Sequence, residues 1–294
     1  MPSPTDFNLS PYFDDFDESK KFHRILFRPA FAVQARELTQ SQSILQNQVE
    51  KVSDHLFEKG AMVIPGEIGY DLNYFAVKLS SFNGTLSNYS GSTLTGGTSG
   101  VQAIVVNTSA TDGTDPDTLF VKYIKTGTNN TASVFTDGET ITGVGADSSA
   151  VSAVVDTTAT GSAAEIQAGT YYINGFHVKV DNQTLILDKY TNTPSYRVGL
   201  TVTESFVTPS DDSTLNDNAA GSSNVNAPGA HRFKIALTLA KLSLTSTSDS
   251  NFIELLRLSS GIIQNQVRTT EYSVLEDNLA RRTFDESGVY IVRG

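Results

Sequence analysis

FHRILFRPAF at residues 22–31, running on as AVQARELTQSQSILQNQVEKVSDHLFEKG to Gly60, is the stretch whose reading decides the fold. Pro29 excludes an earlier helix start, because a proline pushes the residue before it out of the helical region. Beyond it the pattern predicts one long helix over residues 31–59, with Gly60 as its terminator. Leu38, Leu45 and Val52 recur every seven residues, and Val49 and Leu56 follow Leu45 and Val52 by four. Extending that register backwards adds Ala35 and Gln42. The result is a heptad with Leu38, Leu45 and Val52 at d and Ala35, Gln42, Val49 and Leu56 at a.

The other faces of this helix carry Gln, Ser, Glu and Lys. So narrow a stripe fits a two- or three-stranded parallel coiled coil better than a core-facing helix, which shows a wider apolar face. The competing reading is an amphipathic helix packed on its own sheet. Gln42, polar within the seam, is of the kind that fixes register. Just upstream, YFDDFDESK at residues 12–20 reads as an acidic, aromatic arm. Its Tyr12, Phe13, Asp14, Asp15, Phe16, Asp17 and Glu18 are candidate docking residues, for a basic patch or for divalent cations. A merely solvated arm is the plain alternative.

Length, charge and composition bound the rest. The 294 residues can hold one large or two to three small domains. A net charge of −11 gives no general attraction for nucleic acid. With no cysteine, disulfides and thiolate metal sites are excluded. The N-terminal MPSPTDFNLS lacks the basic and apolar regions of a secretory signal, and no apolar run reaches the roughly 18 residues of a membrane span. The chain is expected to be made and folded in a cytoplasm.

After Gly60 the pattern turns to strands. Residues 61–82 read as short strands broken at Pro65-Gly66. Residues 84–161 are rich in Gly, Ser, Thr and Asp, with an echo between TLTGGTSGVQAIVV (93–106) and TITGVGADSSAVSAVV (140–155). Two such hairpins facing each other would make a small β-sandwich or barrel. Asn174-Gly175, between YYI and FHVKV, is the strongest hairpin signal. A polar loop is expected over 208–231 and an alternating strand over 232–245. NFIELLRLSSGII (251–263) reads as strand or short helix, and the closing RTFDESGVYIVRG as strand. The expected fold is mainly β, with one long N-terminal helix in a coiled coil and small β-sandwich or barrel modules. Its parts are an arm and oligomerising helix (1–60), a main β domain (61–83 and 162–294) and an inserted module (84–161).

Catalytic signatures are weak throughout. His23, His55, His177 and His231 stand at no zinc-ligand spacing, and no HExxH, GxSxG, P-loop or dinucleotide fingerprint occurs. Asp112, Asp115 and Asp117 in TDGTDPD fall short of a calcium loop. The reading is of a protein with no enzymatic activity, no cofactor and no metal. Eleven tyrosines leave open sugar stacking, as in a carbohydrate-binding surface.

Two long blocks carry a resemblance. The arm and helix from YFDDFDESK to AMVIPG, and YYINGFHVKVDNQ to HRFKIALTL (171–239), resemble a family of tailed-bacteriophage virion proteins. The closing RRTFDESGVYIVRG is similar too. The family, common in cyanophages and other contractile-tailed phages, comprises structural proteins of the baseplate and tail fibre. The resemblance implies a virion protein assembled in the host cytoplasm, a homotrimer with other tail or baseplate proteins as partners, and no catalytic residues. The alternative is a receptor-binding fibre domain that contacts host-surface glycans through residues 84–161.

Overall fold

The computed structural model describes residues 5–246, 249–267 and 272–288. The arm and an extended stretch lead into helix α1 (Ala35–Ser53). Strands follow in the order β1 (Met62–Ile64), β2 (Ile68–Phe82), β3 (Thr93–Gly96), β4 (Gln102–Ser109), β5 (Thr118–Lys125), β6 (Thr140–Val144) and β7 (Ala150–Ile166). The rest are β8 (Gly169–Ile173), β9 (Phe176–Val180), β10 (Gln183–Asp188), β11 (Tyr196–Val207), β12 (Arg232–Ser243), β13 (Phe252–Ser259) and β14 (Ile262–Gln266). Helix α2 (Ser273–Ser287) comes last.

Among the described residues the strands form three antiparallel sheets, ordered β1-β8-β9, β12-β11-β13-β14 and β10-β7-β2-β5-β4-β3-β6. In the largest, β7 pairs with β6 as well as β2, so six strands close into a barrel and β10 stays outside the ring. Closure removes the unpaired edges that would invite aggregation.

The two longest strands tie everything together. β2 and β7 pair from Ile68↔Ile166 to Phe82↔Ala153. At one end Ile68, Ala164 and Ile166 belong to a core shared with Tyr171, Leu200 and Leu256. At the other, Val77, Leu79, Val151 and Val155 line the barrel. Between the two cores Tyr74 stacks on Phe120 with ring centroids 5.1 Å apart, packed with Ala76 and Ala163.

The internal echo has a structural counterpart. Hairpins β3–β4 and β6–β7 lie side by side through an antiparallel β3–β6 ladder whose central pair is Thr95↔Thr142. These threonines are equivalent in the echo, as are the fully buried Leu94 and Ile141. A local two-fold axis therefore passes through the Thr95–Thr142 pair. At the other end, Asn174 (φ 47°) and Gly175 (φ 88°) make the two-residue turn joining β8 and β9. Positive φ at both positions matches the strand twist, which is why Asn-Gly serves there.

The long N-terminal coiled-coil helix is not present. Helix α1 has 19 residues. It starts late because Gln34 and Glu37 form a capping box, the Gln34 N–H donating to Glu37 Oε2 at 2.9 Å. Upstream, Ala30 (φ 66°) turns the chain straight after Pro29. The helix stops at Ser53, and Leu56, Phe57 and Ala61 fold against Tyr172. Gly60 is not the helix terminator. Its N–H donates to the Tyr172 carbonyl at 2.8 Å, and a Cβ there would meet the Ile253 side chain at 2.7 Å.

Of the two remaining C-terminal readings, NFIELLRLSSGII resolves to its strand alternative and RTFDES changes from strand to helix. Residues 252–266 are the β13–β14 hairpin, turned at Ser260 and Gly261 with positive φ. RTFDES is the end of α2, stabilised by an Arg282–Glu286 pair at 2.9 Å one turn apart; residues 289–294 lie outside the described residues.

Phe120→Ala should cost about 3–5 kcal/mol of stability, because it empties the junction between two cores. Denaturant unfolding would measure this, and a loss below about 1 kcal/mol would mean the junction is not structural. A second expectation concerns alkali. Burial pushes the Tyr123 and Tyr171 hydroxyls up from the ordinary 10.0 to about 12. A raised folded-state pKa stabilises below the unfolded value and is lost as pH rises through the folded one. Stability should therefore fall between pH 10 and about 12. Tyrosinate absorbance followed alongside circular dichroism tests this: titration of all tyrosines near the ordinary value, with no unfolding, would refute it.

Candidate functional site

Helix α1 turns a polar face inward. Gln46 Nε2 donates to the Gly175 carbonyl at 2.6 Å, and Ser53 Oγ lies 3.1 Å from His177 Nε2. The Tyr172 hydroxyl donates to Asp54 Oδ1 at 2.6 Å. Burial, and then the Asp54 carboxylate, push that hydroxyl far above the usual tyrosine range. Burial likewise raises Glu50 above the usual carboxylate range. The β8–β9 hairpin is thus the seat of the helix, and hydrogen bonds hold it there.

The acidic arm covers the next face. Asp15 pairs with Arg36 at 3.2 Å and accepts from Gln40, and Glu18 pairs with Lys51 at 2.8 Å. Asp14, only 6% exposed, accepts from the Ser43 hydroxyl and from the Phe16 N–H. Tyr12 stacks on Phe206 with centroids 5.0 Å apart, and its hydroxyl hydrogen-bonds His231 Nδ1 at 2.8 Å. Asp17 caps a short 3-10 turn, and the Ser19 side chain first, then the Ser19 N–H, lower the pKa of its carboxyl. Phe13, at positive φ, stays exposed. The carboxylates expected to meet a partner are therefore largely engaged within the chain itself.

What remains facing outward is the seam. Leu38, Leu45, Val49 and Val52 are 53%, 67%, 47% and 65% exposed. Ala35 and Gln42 are exposed beside them, whereas Leu56 lies past the helix end, half-buried against the Phe57–Tyr172 cluster. The buried helix positions are Ile44 and Ser53, both off the seam. Amphipathic helices normally hide the apolar side. Here the hidden side is polar apart from Ile44, and the apolar stripe is presented.

The stretch before the helix adds to this surface. Phe22, Leu26, Phe27, Phe31 and Val33 are all exposed. Phe31 and Val33, expected inside the helix, lie before its start at Ala35, and the spacing of Phe22, Leu26 and Phe27 has neither helix nor strand period. Lys20, Lys21, Arg24 and Arg28 are its charges, with no Asp or Glu from residue 20 to 36.

Beneath arm and helix lies an open cleft of about 750 Å³. Phe7, Phe176 and Phe233 supply aromatic wall, and Gln42, Gln46 and Asn47 supply amides. Asp6, Asp14 and Glu50 line it as acids and His231 and Arg232 as bases, and the Arg232 guanidinium donates to the Ala230 carbonyl at 2.8 Å. These residues come from separate stretches of chain, so no local motif announces the cleft.

Elsewhere, polar clusters are self-satisfied. Lys189 pairs with Asp112 at 2.8 Å and Asp115 at 3.0 Å, placing an ammonium where a cation would sit. The Asp115 N–H first, and Lys189 next, hold Asp112 far below the usual carboxylate range. Among the described residues, no group of three or more His, Asp or Glu is arranged to hold a metal ion. Tyr89 is fully buried in the barrel and Tyr123 packs edge-on to Phe75 and Phe135, so neither offers an open ring to a sugar. No helix among the described residues is long and apolar enough to cross a membrane.

A family model described as a domain of unknown function (DUF4815) matches residues 10–130 and 119–294, and the chain belongs to that family. No curated protein and no solved structure matches it.

Tyr172→Phe removes the hydrogen bond that seats the helix end on β8. A bond to a charged acceptor is worth about 1.5–3 kcal/mol. Limited proteolysis should then open residues 34–60 before the barrel, and equal resistance of mutant and wild type would show that the seat does not depend on this bond.

Proposed function

We propose that this chain is a structural subunit of a bacteriophage tail, at the baseplate or the fibre attachment point, which assembles with copies of itself and presents fibres or neighbouring subunits. The observation that carries self-assembly is the outward apolar stripe of α1. A soluble monomer rarely leaves a contiguous apolar patch without a partner. The setting in a phage tail rests on the likeness of the arm-and-helix block and the 171–239 block to tail proteins. A role of this kind needs no catalytic group or cofactor. Its place is the virion, after assembly in the host cytoplasm.

The proposed assembly is a homotrimer, a closed ring in which every stripe meets a neighbour. The helices stay seated on their own β-domains, so whole subunits meet. Leu38, Leu45, Val49 and Val52 are already a third to a half covered, and full burial gains roughly 1–2 kcal/mol for each. Association costs on the order of 4–15 kcal/mol. The stripe therefore orients the subunits, and more surface must be buried with it.

The wild-type chain should sediment and scatter as three times 31.6 kDa. Leu45→Asp should reduce this to one subunit with an unchanged circular dichroism spectrum. Gln48→Glu, exposed and off the stripe, should leave the mass unaltered. Ser43 is unsuitable as that control, since its hydroxyl donates to Asp14. A monomeric wild type would sink self-assembly, and a Leu45→Asp chain of unchanged mass would remove the stripe from it.

A further inference from the structure

We infer that residues 20–31 of one copy form a strap that docks in the arm-and-helix cleft of a second copy. The inference rests on the self-assembly proposed above and names the contact that completes it.

The strap is held at its ends and exposed between them. Its start is fixed by the Glu18–Lys51 pair near the end of α1, and its finish by the Gln34 cap at the start of α1. Between Arg36 and Lys51 the helix rises only about 22 Å. The thirteen residues from Lys21 to Val33 can reach up to roughly 40 Å. Among the described residues, no backbone hydrogen bond is made from Phe22 to Phe27. An exposed extended segment with unpaired N–H and C=O groups is ready to be bound by another surface. Leu26 and Phe27, near the middle of the strap, are 75% and 51% exposed.

The cleft has the complementary chemistry. Aromatic rings of Phe176 and Phe233 suit the strap's Phe and Leu side chains, and the amides of Gln42 and Asn47 suit its bare backbone. Asp6, Asp14 and Glu50 outnumber the cation Arg232 among the lining residues, so the cleft is net negative, opposite in sign to the strap's Lys20, Lys21, Arg24 and Arg28. Charge points to a second copy as the donor. The chain has 21 Lys and Arg against 32 Asp and Glu, and the strap concentrates the cations without a single acid. The area argument agrees, because the helix stripe alone is too small a contact to hold subunits together.

The absence of cysteine makes a clean test possible. Phe27→Cys chains are co-expressed with Asn47→Cys chains that carry a size tag, and the mixture is oxidised. The expected product is a tag-shifted covalent heterodimer on a non-reducing gel. Replacing the partner by Ser80→Cys, exposed on the remote β2 strand, should abolish it. Arg24→Glu with Arg28→Glu in the Phe27→Cys chain should lower the yield roughly ten-fold. A heterodimer formed equally well with Ser80→Cys, or unaffected by the charge reversals, overturns the docking. So does a chain that is oligomeric by light scattering yet gives no heterodimer, and that result leaves self-assembly standing. A chain that is monomeric by light scattering overturns both.

Discussion

The structure hangs on the antiparallel ladder between β2 and β7. One end of this pair lies in the core of the smaller sheets, and the other in the barrel. A contact between residues so far apart in sequence costs loop-closure entropy before it returns anything. The return comes in two separate hydrophobic clusters, bridged by the Tyr74–Phe120 stack. The Lys189 pairing with Asp112 and Asp115 adds a second tie between the barrel loops and the base. It is half-exposed and contributes little beside the cores.

With that frame rigid, the position of α1 becomes a matter of which face wins the base. An apolar face would normally take it, at about 25 cal/mol per Å² buried. Instead β8 and β9 offer Tyr172, His177 and the Gly175 carbonyl, and the helix answers with Asp54, Ser53 and Gln46. Such polar bonds contribute about 1 kcal/mol apiece, and about 1.5–3 kcal/mol where the acceptor is the Asp54 carboxylate. Their value lies in direction, since they fix the rotation of the helix about its axis. The arm then covers a second face through Asp14, Asp15 and Glu18. With both polar flanks taken, the Leu38–Val52 stripe has nowhere to point except outward.

Much of the local structure was legible in the sequence. Asn174-Gly175 marked its hairpin because few residues tolerate positive φ at both turn positions. The alternation in β12 and the echo across β3–β4 and β6–β7 follow from strand and turn chemistry. The coiled coil was misread for a physical reason. A heptad stripe says which residues lie on one helix face, and is silent on whether a partner helix meets it. The helix limits escaped because the capping box at Gln34 uses an amide, a weaker start signal than Ser, Thr or Asp. RTFDES read as strand, yet Arg282 and Glu286 one turn apart favour the helix that forms. The cleft was illegible, since Phe7, Tyr12, Asn174, Phe206 and His231 meet only through folding.

The two outward surfaces, stripe and strap, solve different parts of one problem. A short aliphatic stripe is non-directional and modest in energy, so by itself it permits many registers between subunits. A basic, aromatic strap entering a net-negative, amide-lined cleft has a direction and a fixed partner. Combining them makes each subunit donor at one place and acceptor at another, which is a heterologous contact. Such contacts close into rings when the rotation permits and run on into filaments when it does not. The chain must therefore set the rotation between copies accurately. The hydrogen bonds that fix the roll of α1 on β8 and β9 are the part of the structure able to set it.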